Sequence, residues 1–310
     1  MNMDQPQNAQ EFYHKLFRSL FFYLLFIFTS HSLIAQDDLL SKLELETGSN
    51  KAVYVLASFK GDKIINIQTN ETVKKNNLDV RVNHLFGNIG KESGGGFHNL
   101  YGFDQSQDIR IGFHYGISDR FMAGVSRSKR NENFEGLLKF KLLQQTTNDK
   151  TPLSITLFGN ATFSAKSASL VEKDIHRLTY NSQIILSRKF SPKFSIVLTP
   201  SFLHRNFIEA EDQNDIISVG GGFRLKVTQS TSIIADYFHS FRPKISGTEY
   251  FAPLGIGVEI ETGGHVFSIM FTNASGILEN DFLVNTVDDW AKGGIKFSFI
   301  VSRMFKFGKS

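Results

Sequence analysis

The feature that most constrains the fold is an alternation of apolar and polar residues that recurs from residue 78 to the C-terminus. Residues 109–114, for example, are IRIGFH. Successive side chains of a β-strand point to opposite faces, so this pattern predicts strands with one apolar and one polar face. Helical periodicity is nearly absent over the same region. We therefore expect an all-β chain.

Twelve segments carry the pattern, and most of them are about 9 to 12 residues long, enough to cross a bilayer at a tilt. The predicted strands are 78–86, 108–115, 120–128, 134–143, 153–163, 176–187, 193–204, 215–227, 232–241, 253–261, 265–273 and 291–307.

The connections between these segments alternate in length. Short turns (GISD, SPK, TQST and ETGG) follow the second, sixth, eighth and tenth strands, and longer polar segments follow most of the others. The connections at 129–133 and 144–152 do not fit this contrast. Alternating short and long connections are typical of outer-membrane barrels, and hydrocarbon tolerates no open sheet edge. The prediction is a closed antiparallel up-and-down transmembrane β-barrel of about 12 strands (10 to 14).

Alternation alone also fits a soluble β-sandwich, but the N-terminus favours export to a membrane. Residues 15–36 are KLFRSLFFYLLFIFTSHSLIAQ, the order of a signal peptide, with cleavage expected after Ala35. An uncleaved anchor helix over 16–35 is the alternative. The expected organisation is a signal peptide (1–35), a periplasmic or lumenal N-terminal segment with a short helix near 37–46 (36–76), and a barrel in the cell outer membrane (77–310).

The polar face of the strands predicts a wet lumen with a modest positive excess. The candidate ligand-binding residues on this face are Arg110, His114, Lys139, Lys141, Arg224, Lys226, Glu259 and Lys296. Glycine recurs on the same face, and two interpretations stay open. It either relieves bending of the sheet or makes room for a plug, for which 37–76 is the local candidate.

Four blocks resemble a known family: FKGDKIIN (59–66), HLFG (84–87), LYGFDQSQDIRIGFHYGISDRFMAGVSRS (100–128) and LKFKLL (138–143). They are similar to domain-of-unknown-function family 5777, β-barrel proteins of Bacteroidota. This chain has Leu85 where the family commonly has Arg, and Phe103 where it has Leu. The resemblance implies a barrel in the outer membrane and implies no activity.

Composition and motifs narrow the function. Cysteine is absent, which excludes disulfides and Cys-ligated metals, and the Lys and Arg residues form no basic stripe for nucleic acid. No residues stand at the spacing of a metal-ligand or cofactor-binding motif. We interpret GKESGGGF (90–97) as a flexible loop rather than a phosphate loop. His114, Asp119, Ser126 and Ser128 could in principle supply a hydrolase embedded in the outer membrane, with His as the base and Ser as the nucleophile.

The leading hypothesis is a non-enzymatic passive pore or a barrel that binds a small solute, with an anion as the candidate. The alternatives are a closed scaffold for a periplasmic or surface partner and an outer-membrane hydrolase. No cofactor is expected. The expected partners are outer-membrane lipid and, during biogenesis, the barrel-assembly machinery.

Overall fold

The computed structural model describes residues 53–166, 173–208, 211–243, 245–262 and 265–307. The strands are β1 (Asn77–Asn88), β2 (Ser106–Gly116), β3 (Phe121–Ser128), β4 (Asn133–Leu143), β5 (Ser154–Ser164), β6 (Leu178–Ser191), β7 (Phe194–Arg205), β8 (Asp215–Lys226), β9 (Thr231–Phe241), β10 (Leu254–Thr262), β11 (His265–Thr272) and β12 (Lys296–Lys306). Within these described ranges one short α-helix, α1 (Glu279–Asn285), precedes the last strand. The 3-10 helices are Lys91–Ser93, Phe97–Gly102, Arg130–Glu132, Asp174–Arg177 and Trp290–Lys292.

The strands form a closed barrel in which each strand pairs with its neighbours in sequence. All pairs are antiparallel, and β1 closes the sheet against β12 from Asn77↔Lys306 onward. The predicted twelve-strand up-and-down barrel is confirmed. Among the described residues, no helix has the length and apolar character needed to cross a membrane.

The two ends of the barrel differ. At one end, here called the N-terminal rim, β1 begins, β12 ends, and short connections join β2 to β3, β6 to β7 and β8 to β9. At the other end, the loop rim, the connections are mostly longer, and the longest of them joins β11 to β12. The 3-10 helix Trp290–Lys292 ends at Gly293 (φ +72°), which is why β12 begins later than the predicted 291.

The two faces of the wall follow the predicted alternation. On β2, Arg110 and His114 are buried inside the barrel, whereas Ile111, Phe113 and Tyr115 are exposed on its outer side. This inversion, with polar side chains inside and apolar ones outside, suits a barrel whose outer face meets lipid.

The lumen is filled by two segments that enter from opposite ends. The first, here called the plug, is residues 58–73, which precede β1, and every residue from 62 to 70 is buried. The second, here called the loop insert, is residues 273–286 of the β11–β12 connection, and it contains α1. The predicted signal peptide and the helix near 37–46 lie outside the described residues.

Candidate functional site

The tip of the plug is a tight turn anchored by one carboxylate of the wall. The amide of Ile64 donates to the carbonyl of Ile67 (3.1 Å), which closes the turn. Asp236 on β9 accepts from the backbone amides of Asn66 (2.5 Å) and Ile67 (2.8 Å), and also from the Asn66 side-chain amide (3.0 Å). Three hydrogen bonds to a charged acceptor make Asp236 the anchor of the plug tip.

Lys139 on β4 fixes the two arms of the plug from the opposite side. Its ammonium donates to the carbonyl of Asp62 (2.7 Å), to the side chain of Gln68 (3.0 Å) and to the carbonyl of Thr69 (3.2 Å). An ammonium has three protons, and here each has an acceptor in the plug.

A charged cluster lies where the plug meets β1 and β2. Arg81 pairs with Asp62 of the plug and with Asp79 (2.8 Å), and His114 Nδ1 lies 2.7 Å from Asp62. The donor atoms of Asp62, Asp79 and His114 lie within 4.8 Å of one another. The Arg81 guanidinium already bonds both carboxylates, and it would repel a metal ion, so these residues do not fit a metal centre.

A second wall network surrounds Glu135 on β4. Glu135 accepts from Arg110 (2.6 Å), Ser126 (2.6 Å) and Asn160 (2.7 Å). The hydroxyl of Ser126 therefore faces Glu135, and the ring of His114 faces Asp62 and Arg110 instead.

The remaining residues of the hydrolase hypothesis bond elsewhere as well. Ser128 donates to Asp108 (2.7 Å). Asp119 lies on the exposed β2–β3 turn and accepts from the amide of Lys75 (3.0 Å). The structure does not bring the four hydrolase candidates together.

The other predicted lumen residues are also on the inner face. Arg224 bonds Glu259 and Glu261 (2.7 Å each), and Lys60 of the plug reaches Glu261 (2.9 Å). Lys141 lies 3.7 Å from Glu71 of the plug. Buried Lys296 donates to the carbonyl of Asn273 (3.2 Å), and Lys226 is half-buried near the N-terminal rim. All eight predicted residues line the lumen, and their role in binding a solute stays a prediction.

The plug and the loop insert contact each other inside the barrel. Lys63 of the plug donates to the carbonyl of Ile277 (2.8 Å), and Gln68 donates to the carboxylate of Glu279 (3.0 Å). Asn160 of the wall donates to the same carboxylate (3.1 Å). Glu279 thus joins the two inserted segments to the wall.

Asp281 of α1 fastens the loop insert to the β3–β4 connection. It accepts from Asn131 (2.8 Å) and Asn133 (3.3 Å), and Arg130 Nε lies 3.6 Å away. Burial raises the pKa of Asp281 to about 7, although the Arg130 guanidinium acts in the opposite direction.

Two glycines show that the wall makes room for the plug. A Cβ at Gly116 would lie 2.5 Å from the carbonyl oxygen of Val73, and one at Gly255 would lie 2.7 Å from Cγ2 of Ile65. Side chains at these positions would collide with the plug. At these two positions the second interpretation of the glycines, room for a plug, is the one that the structure supports.

Sequence reasoning missed several lumenal residues. Asp79, Arg81 and Asp108 are buried on the inner face, and the same period-two rule applied to β1 and β2 would have found them. The loop insert was predicted only as a long polar connection. Its burial depends on distant partners, such as Asp108, which accepts from the amide of Ile277 (3.0 Å).

A cavity of about 590 Å³ opens beside the loop insert at the loop rim. Leu283 and Val284 of α1 line it, together with Arg242 and Tyr250 of the β9–β10 connection. The guanidinium carbon of Arg242 lies 3.5 Å from the centroid of the Tyr250 ring. Whatever enters this cavity contacts the loop insert.

Solved structures of porins are similar to this chain at low sequence identity. A NanC porin is 9% identical, with 75% of this chain and all of that chain covered and a TM-score of 0.45. A KdgM porin in complex with disordered oligogalacturonate is 8% identical, covering 75% and 99%, with a TM-score of 0.43. The OmpF of Salmonella typhi is 8% identical, covering 74% and 96%, with a TM-score of 0.36.

No match to the sequence is found among curated proteins. A family model, by contrast, matches residues 59–305, from the first arm of the plug almost to the end of β12. That range includes all four blocks on which the resemblance was based. The chain belongs to the family described as the membrane bound beta barrel domain (DUF5777).

Proposed function

We propose that this chain is a gated pore of the cell outer membrane, closed at rest by the plug and opened when the plug leaves its anchor. The observation that carries the proposal is the polarity of the wall behind the plug, where Asp79, Arg81, His114, Lys139 and Asp236 are all buried. A wall of this kind is readily hydrated once uncovered. Buried ion pairs also add little net stability relative to apolar packing. Releasing the plug from this polar wall therefore costs less free energy than releasing it from an apolar wall would.

The proposed cargo is a small anionic solute. Departure of the plug removes a partner from three cations of the wall, Arg81, Lys139 and Lys141. It removes a partner from two acids of the wall, Asp236 and Glu261, and from Glu279 of the loop insert. The uncovered wall, taken without the loop insert, thus has a small cationic excess, which favours an anion.

The loop insert must also shift for a solute to pass, because it occupies the lumen on the loop-rim side. The cavity of about 590 Å³ beside α1 supplies a place where a solute can contact it. Since Glu279 bonds Gln68 of the plug, a shift of the loop insert would disturb the plug.

A disulfide between the plug and the wall tests the gating proposal. The natural chain has no cysteine, so Ile65→Cys with Gly255→Cys would introduce its only thiols. The refolded proteins are compared in planar bilayers under applied voltage with a low concentration of urea, which weakens the plug contacts. We expect current steps from the wild type and the reduced double variant, and none from the oxidised one. The Ile65→Cys single variant, which cannot form the disulfide, is the control.

A closed scaffold is the second candidate, and the filling of the lumen from both ends is the observation that favours it. A scaffold predicts no current from wild type or reduced protein under any voltage at which the bilayer survives. Equal current from oxidised and reduced protein would instead show that the plug is not the gate.

A further inference from the structure

The β1–β2 connection at the loop rim contains the glycine run of GKESGGGF, and it is not the flexible loop expected from the sequence. The amide of Gly95 donates to the carbonyl of Gly90 (2.8 Å), and the amide of Tyr101 donates to that of Gly96 (2.7 Å). A Cβ at Gly95 would lie 2.1 Å from the carbonyl oxygen of Asn88. Glycine here permits close packing of the connection on the end of β1, which fixes its position.

The ordered connection presents a group of apolar side chains outward. Phe97 is 83% exposed, Leu100 55%, Tyr101 50% and Phe103 45%; we call these four residues the platform. Leu100 and Tyr101 both have a left-handed backbone (φ +49° and +54°), which costs a non-glycine residue roughly 1 kcal/mol or more. Strain and exposure of large apolar side chains together indicate a surface that is covered in the working protein.

The platform continues the outer face of the barrel. The ring of Phe103 lies 5.2 Å from that of Phe86 and 5.1 Å from that of Phe297, both on the outward faces of their strands. Phe297 in turn lies 5.8 Å from Phe271 on β11. The connection therefore bends away from the lumen and over the side of the barrel.

The chemistry of the connection suits lipid. Residues 93–103 contain no Asp, Glu, Lys or Arg, and their titratable side chains are His98 and Tyr101. Aromatic residues are enriched where a barrel crosses the boundary between hydrocarbon and water, and tyrosine has an apolar ring with a polar tip. A protein partner would have to displace lipid from Phe86 and Phe297 to cover the same surface.

We propose that the platform is embedded in the membrane lipid at the loop rim. The hydrophobic surface of the barrel then extends beyond the strand ends beside β1, β2 and β12. This proposal does not depend on whether the lumen conducts.

Tryptophan fluorescence tests the proposal, because Trp290 is the only tryptophan. Phe97→Trp is made in a Trp290→Phe background and reconstituted in vesicles that contain lipids brominated either near the headgroup or midway along the acyl chain. The control is Val287→Trp in the same background. Val287 is 50% exposed at the same end of the barrel, but it lines a polar cavity with Glu92 and Asp288.

We expect the emission of the Phe97→Trp protein to be blue-shifted and strongly quenched, more by lipid brominated near the headgroup than by lipid brominated deeper. Little quenching is expected for Val287→Trp. Heat-modifiable gel migration confirms that both variants are folded. Unquenched emission from Phe97→Trp would overturn the proposal. So would a blue shift that appears only at high protein-to-lipid ratio together with cross-linked dimers, because a second copy would then cover the platform.

Discussion

The plug and the loop insert fill the same lumen but differ in how they are attached to the wall. The tip of the plug is held by the Asp236 carboxylate, which accepts hydrogen bonds from two backbone amides of the plug. The loop insert is held by the polar contacts of Glu279 and Asp281 and by apolar packing around Phe282, which is fully buried and lies 5.3 Å from the ring of Phe238. The insert is also joined to the wall at both ends, by β11 and β12. We infer that the plug is the releasable segment and the loop insert is the more permanent one.

The largest expected effect comes from removing the aromatic packing of the insert. Phe282→Ala should lower the free energy of unfolding by about 3 to 5 kcal/mol, because it leaves a cavity among buried side chains. Urea unfolding followed by gel migration measures the loss, and Phe282→Leu should lose less. If Phe282→Ala released the plug while leaving unfolding unchanged, the proposed division between the two segments would be wrong.

A more local effect, on the plug rather than on the whole fold, is expected at the anchor of the plug. Asp236→Ala leaves the amides of Asn66 and Ile67 without their acceptor, at a cost of about 1–3 kcal/mol for each unsatisfied group. The probe is an Ile67→Cys substitution, because Ile67 is fully buried. This cysteine should react with a maleimide much faster in the Asp236→Ala protein than in the parent, which carries Ile67→Cys alone.

Asp215→Ala is the matched control for the anchor. It removes an exposed carboxylate that pairs with His204 near the loop rim, the opposite end of the barrel from the one at which the plug enters. Its maleimide rate should equal that of the parent. Equal rates for Asp236→Ala and the parent would contradict the role of Asp236 as the anchor.

Stability of the loop insert should depend on pH through Asp281. Because its pKa in the folded protein is raised to about 7 from an ordinary value of 3.8, the folded state holds this proton more tightly than the unfolded state does. The resulting stabilisation is fully present below about pH 3.8 and is lost as the pH rises through 7. The charged groups that act on it are Arg130 and Asp108.

Hydrogen exchange measures this dependence. Protection factors of the amides in residues 273–286, corrected for intrinsic exchange, should be lower at pH 8 than at pH 5. Asp281→Asn should make them nearly independent of pH, whereas the amides of the plug should respond less. A plug response as large as that of the insert would mean that the two segments open together.

The smallest effect is expected for the ion pair between the first arm of the plug and β10. Lys60 and Glu261 are both partly exposed, and such pairs contribute at most about 1 kcal/mol. Lys60→Ala should therefore raise the maleimide rate at position 67 only slightly. A rise comparable to that of Asp236→Ala would show that the plug is held along its arms rather than at its tip.

Much of the barrel could be predicted from the sequence because a two-residue period fixes both the strand and its faces. Arg110 and Ile111 are adjacent in sequence and lie on opposite sides of the wall, as predicted. The contents of the lumen were harder to predict. Asp236 and Asn66 are 170 residues apart, and nothing local marks them as partners. Helix α1 has seven residues, too few to show a helical repeat in the sequence.

The position of the plug before β1 has a consequence for how the protein is assembled. The turn at residues 64–67 emerges early in synthesis, yet its anchor on β9 follows about 170 residues later. Closure of β1 against β12 must then either surround a plug that is already in place or leave it to thread in from the N-terminal rim. Contacts of such long sequence separation form slowly. The final step of folding therefore depends on which event is faster, the pairing of β1 with β12 or the entry of the plug into the lumen.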